Sequence, residues 1–177
     1  MAKPLIMYHS IYGTTKKYAE WIAEELSGDL YEVQYVKAET LKDYDTIVLG
    51  CALYAGSIKG LHLIKSIKDK KIIIFTCGLG DASKTEKMKE IRQSIAKVIT
   101  EPSLQNIHLF HLRGGIDYSK LSFIHKMMMW VVKKMILKKT YEAMSEDEKG
   151  IVESYGKAVD YTDRDSIAGI VSCGRSR

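Results

Sequence analysis

Proline is almost missing from this 177-residue chain, with only 2. No Pro-rich linker divides it, and no internal repeat or low-complexity tract interrupts it. Cysteine is also scarce, at 3. Cys51, Cys77 and Cys173 are odd in number and lack metal-ligand spacing, which excludes a disulfide framework and implies a reducing compartment. Long apolar runs are missing too. The N-terminal MAKPLIMYHS has too short a run for a signal peptide and no small-residue cleavage site. These absences predict one cytoplasmic domain over 1–162, followed by a tail, 163–177, with little pattern after Val171.

Acidic residues are missing from one stretch. None occurs between Asp117 and Glu142, while Lys120, Lys126, Lys133, Lys134, Lys138 and Lys139 all fall there. Against a net charge of +5, this local block points to an anionic partner, a membrane surface or an acidic protein, or else to a solvated lysine face. No nucleic-acid-binding motif accompanies it, so nucleic acid is not expected. His9, His62, His108, His111 and His125 form no metal pattern, and no catalytic acid–base pair is evident.

What is present is alternation. PLIMY (4–8) is a compact apolar run, followed by a helical pattern from Thr14 to Leu26 that Ser27-Gly28 stops. LYEVQYV (30–36) alternates like an edge strand, whereas DTIVLGC (45–51) and KIIIFTC (71–77) are continuous and β-branched, as in strands buried on both faces. NIHLFHL (106–112) makes a fifth strand, and helices are predicted over 61–68, 84–99, 120–139 and 146–161. Five strands separated by helices predict an α/β fold, a doubly wound five-stranded parallel sheet. With the polar second strand at an edge, its order is 2-1-3-4-5, and ligands bind beyond the carboxyl ends of the strands where the order reverses.

Three loops rich in Gly, Ala, Ser and Thr should converge there: HSIYGTT, CALYAGS and TCGLGDAS. The first lacks the lysine and second glycine of a P-loop, and Gly78-Leu79-Gly80 is an incomplete dinucleotide fingerprint in the wrong place. A receiver domain would need acidic residues where His9-Ser10 and Gly50-Cys51 stand. A loop of hydroxyls and one glycine opening into a helix can instead hold a monophosphate, through backbone N–H groups and the helix N-terminus. Ser10 and the threonines could also be no more than a helix cap.

Ser10-Ile11-Tyr12-Gly13-Thr14-Thr15 resembles the [ST]-x-x-G-x-T phosphate loop of flavodoxins, and the resemblance extends over about residues 3–160. It implies FMN as cofactor, with its phosphate on Ser10, Ile11, Tyr12, Gly13, Thr14 and Thr15. It also implies a ring stacked on Tyr54 within Leu53-Tyr54-Ala55-Gly56, where the Ala55-Gly56 peptide could flip in response to protonation at N5. Cys77, Gly78, Leu79 and Asp81 would border the ring's other side, with Asp81 or Ser83 as a simple helix cap in the alternative. Cys51 and Cys77 read as small buried hydrophobes.

GGIDYSKLSFIHKMMMWVVKKM (114–135) and GCALYAGSIKG further resemble menaquinone-dependent protoporphyrinogen dehydrogenases, flavodoxin-like enzymes that oxidise a haem precursor and reduce quinone. That resemblance implies a porphyrinogen donor, a quinone acceptor and roles for Gly114, Gly115 and Tyr118. CGLGDASKTEK departs from it and reads as an ordinary flavodoxin loop, which implies an electron carrier instead. In 121–139, Ile124, Met128, Val131 and Met135 make one apolar face, expected to pack on the sheet. Met129, Trp130, Ile136 and Leu137 are then apolar residues to spare, suited to peripheral membrane contact at the inner leaflet, a dimer contact or cover by the chain after 140.

Overall fold

The computed structural model describes residues 3–52, 60–65, 67, 69–79, 85–99 and 107–176. Its elements alternate as the hydrophobic pattern predicts. They are β1 (Leu5–His9), α1 (Thr14–Leu26), β2 (Asp29–Glu32), β3 (Thr46–Ala52), α2 (Leu61–Ile64), β4 (Lys71–Gly78), α3 (Thr85–Ala96) and β5 (Ile107–Arg113). After these come β6 (Gly115–Asp117), α4 (Phe123–Ile136), α5 (Glu146–Ser154), β7 (Ala158–Asp160) and α6 (Ala168–Arg175). The five long strands form one sheet in the order β2-β1-β3-β4-β5, every neighbouring pair parallel. The expected α/β fold with strand order 2-1-3-4-5 is the one observed.

Side-chain alternation splits the core between the sheet's two faces. On one, Leu5, Met7, Ile47, Leu49, Ile72 and Ile74 pack with Leu61, Ile64, Ile91 and Ile95. On the other, Ile6, Val48, Ile73 and Phe75 meet Tyr18, Ala19 and Ile22 of α1 and Ile170 and Val171 of α6. Because β3 and β4 bury both faces, they need apolar residues at every position. Gly50 is the necessary gap in β3, since a Cβ there would lie 2.1 Å from the Phe75 ring.

Several boundaries differ from the sequence reading. The second strand ends at Glu32, and Val33–Tyr35 turn as a short 3-10 helix. The helix expected over 146–161 stops at Ser154, and Ala158–Asp160 pairs antiparallel with Gly115–Asp117 as a small ribbon. The stretch read as a tail contains α6, whose Ile170 and Val171 are buried. Two apolar residues one step apart are too few for a periodic signal, yet enough to close this face over α1. The Ser27-Gly28 stop is realised as a paired terminus: Gly28 N–H donates to Ala23 O and Ser27 N–H to Glu24 O, with Ser27 itself left-handed.

Candidate cofactor-binding site

The carboxyl ends of β1, β4 and β5 bring the first loop, Cys77 to Leu79 and Gly114 to Ile116 to one rim. Residues 10–13 connect β1 to α1. Gly13 takes φ 94°, a conformation favouring glycine, and its N–H donates to Ser10 Oγ at 3.0 Å. The helix therefore begins on a glycine, and no side chain caps it. Its first turn also lacks an acidic residue. Simple capping would have placed Ser10 or a threonine on the N–H of Thr15 or Lys16. Instead a 13-residue helix presents its positive end and its first N–H groups to the rim.

The two threonines differ in role. Thr14 Oγ1 donates to Gly115 O at 3.4 Å, linking the loop to the chain after β5. Thr15 is buried, and its hydroxyl is hydrogen-bonded with the Cys77 thiol, tying the loop to β4. Burial pushes the Cys77 thiol up to about 12, partly offset by Thr15. Burial also raises the Cys51 thiol, with Cys77 adding to the shift. Both are protonated at neutral pH and act as small packing groups.

Between these loops lies a cavity of about 470 Å3. Ser10, Ile11, Tyr12, Thr14 and Thr15 line one end, and Cys77, Gly78 and Leu79 line the side toward β4. Gly114 N–H donates to Gly78 O at 2.6 Å, so β4 and β5 stay paired to the cavity's edge. A Cβ on Gly114 would lie 3.1 Å from Thr14 Cγ2, which accounts for glycine where the loops close on each other. The remaining wall is Ile116, Met128, Met129 and Val132, with Asp147 and Ile151 of α5.

That wall corrects the expectation for α4. Ile124, Met128, Val131 and Met135 do not pack on the sheet; they are 68%, 39%, 44% and 63% exposed. The helix instead turns His125, Met129, Val132 and Ile136 inward, and only Ile136 is fully buried. Both candidate stripes are apolar, so helical periodicity could not choose between them. The inward side carries a long-range link, a hydrogen bond between Tyr12 Oη and His125 Nδ1 whose rings meet edge to face, and Lys133 Nζ lies 4.0 Å from the centre of the Tyr155 ring. Ser122 caps the helix by accepting from His125 N–H at 3.3 Å.

Of the residues singled out in the sequence, the structure brings together Ser10, Ile11, Tyr12, Thr14, Thr15, Cys77, Gly78, Leu79, Gly114 and Gly115 around the cavity. Gly13 shapes the loop from beside it. Leu53, Tyr54, Ala55, Gly56 and Asp81 lie outside the described residues. Tyr118 is not in the cavity wall; it is buried against Tyr155, ring centroids 5.0 Å apart. Burial, with a smaller contribution from Tyr155, pushes its hydroxyl up to about 12. Val132, Asp147 and Ile151 were missed, because only the fold of α4 and α5 over the rim reveals them. Among the described residues no group of His, Cys, Asp or Glu could hold a metal ion.

A family model described as a flavodoxin domain matches residues 5–143. The chain belongs to the flavodoxin family. An uncharacterized protein of Methanocaldococcus jannaschii is 30% identical to this flavodoxin-family chain over 128 residues, 65% of this chain and 85% of its relative. Among solved structures, oxidised flavodoxin 2 from Bacillus cereus has 20% identity and a TM-score of 0.44, covering 86% of this chain and 94% of its own. A flavoprotein in complex with FMN from Lactobacillus acidophilus has 17% identity and a TM-score of 0.43, covering 64% and 93%.

The residues at the rim fit FMN, the cofactor expected from the sequence. The uncapped helix N-terminus, the Ser10 hydroxyl, which accepts from Gly13 N–H and keeps its own proton to donate, and the absence of a competing carboxylate in the first turn suit a dianionic monophosphate. Cys77, Gly78 and Leu79 border the apolar part of the same cavity, a surface on which a flat aromatic ring would fit.

Proposed function

We propose that this flavodoxin-family protein is an FMN-dependent oxidoreductase that oxidises a hydrophobic, porphyrinogen-like donor and passes the electrons to a quinone. The observation that carries this reading is the wall contributed by α4 and α5. Met128, Met129, Val132 and Ile151 give the cavity an apolar side away from the first loop, with Asp147 beside them. A lipophilic donor loses water against such a wall, and burial of its apolar area supplies the binding energy. When bound, FMN would supply the redox chemistry, carrying two electrons and two protons per cycle from the donor to the quinone, which leaves as quinol.

The chain's own part is positioning. Ser10 to Thr15 hold the phosphate end, Thr15 and Cys77 fix the loop against β4, and the α4 wall excludes water. A second reading, an electron carrier with no small-molecule substrate, draws on the sequence CGLGDASKTEK (77–87), which reads as an ordinary flavodoxin loop. Anaerobic assay of the FMN-loaded protein with protoporphyrinogen and a soluble quinone decides between them. Quinone-dependent appearance of porphyrin fluorescence supports the enzyme. Reduction by a low-potential electron donor without any such turnover supports the carrier and overturns the first reading.

A further inference from the structure

Helix α4 carries its apolar residues on the wrong side for a core. Phe123 is 80% exposed, and Met127, Trp130 and Val131 are about half exposed beside Ile124 and Met135. Projected at 100° per residue, these six lie on the arc opposite His125, Met129, Val132 and Ile136, the residues turned inward. A helix packed at a protein surface normally shows one apolar stripe and a polar remainder. Here the inward stripe closes the cavity, and a second, wider arc of apolar residues faces out, with Lys134 projecting within it and Lys138 just past the helix end.

The charge on this face has one sign. Lys126, Lys133, Lys134 and Lys138 sit on or beside the outer arc, and no acidic residue occurs between Asp117 and Glu142. Among the described residues, no carboxylate pairs with Lys126, Lys134 or Lys138, whereas Lys139 is engaged by Glu148 at 2.6 Å. Lys134 Nζ lies 3.9 Å from the centre of the Trp130 ring, its stem laid along apolar surface. No described helix is long and apolar enough to cross a membrane, and 14 residues of α4 extend only about 21 Å. Outward apolar bulk, an aromatic at the border and unpaired lysines are what a helix lying in a negatively charged lipid interface requires.

We propose that α4 docks this protein on a membrane leaflet containing anionic lipid, lying in the interface plane with Phe123, Met127, Val131 and Ile124 among the acyl chains and the lysines at the headgroups. Met128 belongs both to this exposed side and to the cavity wall, so docking sets the cavity against the lipid. A lipophilic substrate would enter from the leaflet without crossing water, which extends the functional reading above. The docking surface itself does not depend on that reading, because Phe123, Ile124, Met127 and Val131 are not among the residues lining the cavity.

The test is co-sedimentation of the full chain, with and without FMN, on vesicles of mixed phosphatidylcholine and phosphatidylglycerol and on pure phosphatidylcholine. Binding to the mixed vesicles is expected, falling steeply with salt. Three substitutions, K126Q, K134Q and K138Q together, should weaken partition by roughly a hundredfold, about fivefold for each lysine. Met127→Glu with Val131→Glu, both at exposed positions, should abolish it while the circular dichroism of the protein stays unchanged. Absence of binding to either vesicle, or equal binding to both, overturns the proposal. So does a stable dimer in solution that the glutamate pair dissolves, since a second copy would then be the occupant. Loss of FMN binding with vesicle binding intact would strike the functional reading alone.

Discussion

The hydroxyl of Tyr12 is hydrogen-bonded to Nδ1 of His125, a residue 113 positions further along the chain. The contact joins the loop proposed to hold the cofactor phosphate to the helix that walls the cavity, so the two are set together. A part-buried hydrogen bond of this kind contributes about 1 kcal/mol. Tyr12→Phe, which keeps the ring, is expected to weaken FMN binding roughly fivefold and to speed hydrogen exchange of α4 amides by a similar factor. Unaltered exchange in α4 would show that other contacts alone hold the helix.

Gly13 gives a cleaner test of backbone conformation. A Cβ placed there meets nothing within 4 Å, so substitution by alanine introduces no clash. Its φ of 94° nevertheless lies where an L-residue is strained by about 1–2 kcal/mol. Gly13→Ala should therefore lower Tm by about 2–4 °C for each kcal/mol and weaken FMN further than riboflavin. A melting temperature equal to that of the native protein would mean that the loop adapts without strain.

The sequence made the sheet legible because β3 and β4 are buried on both faces and so are written as continuous β-branched runs. The loop between β1 and α1 was legible because hydroxyls and glycine recur where a strand meets a helix. The facing of α4 was not legible. With Ile124, Met128, Val131 and Met135 on one stripe and Met129, Val132 and Ile136 on another, the inward side is held by the Tyr12 to His125 contact, by Lys133 over the Tyr155 ring and by the burial of Ile136, and no local pattern records these. The ribbon strand Ala158–Asp160 was equally hidden, since three residues have no period and its partner Gly115–Asp117 lies far away.

The three thiols should separate by reactivity. Cys51 and Cys77 are buried and their thiols are raised by burial, so neither presents a thiolate near neutral pH. Cys173 is partly exposed; its partial burial raises the thiol and the Lys71 charge opposes that rise. An aromatic disulfide reagent at pH 8 is expected to modify Cys173 alone in the native protein and all three after denaturation. Rapid native labelling of Cys77 would contradict its hydrogen-bonded, buried placement beside Thr15.

Asp160 links stability to acid. Lys17 Nζ donates to its Oδ2 at 2.9 Å, and the Thr162 N–H and hydroxyl donate to Oδ1, fastening the β6–β7 ribbon to α1. The Lys17 ammonium first, then Thr162, hold this carboxyl down at about 2. Since the unfolded carboxyl titrates near ~3.9, the contribution is present above about pH 4 and disappears as pH falls toward 2. The pair is largely solvated, so its size is under about 1 kcal/mol. Asp160→Asn should shift the urea midpoint slightly at pH 7 and not at pH 2. A shift that persists unchanged at pH 2 would contradict the pairing.

The central claim is that the rim between Ser10 and Thr15 holds the phosphate of FMN. Its most direct measurement is a flavin-fluorescence titration of the apoprotein with FMN and, separately, with riboflavin, which has the same ring and no phosphate. Two or more charge-assisted hydrogen bonds to the phosphate predict roughly a hundredfold or greater preference for FMN. Equal affinity for the two flavins, or no binding of either, would contradict the account and return this loop to an ordinary strand-to-helix turn.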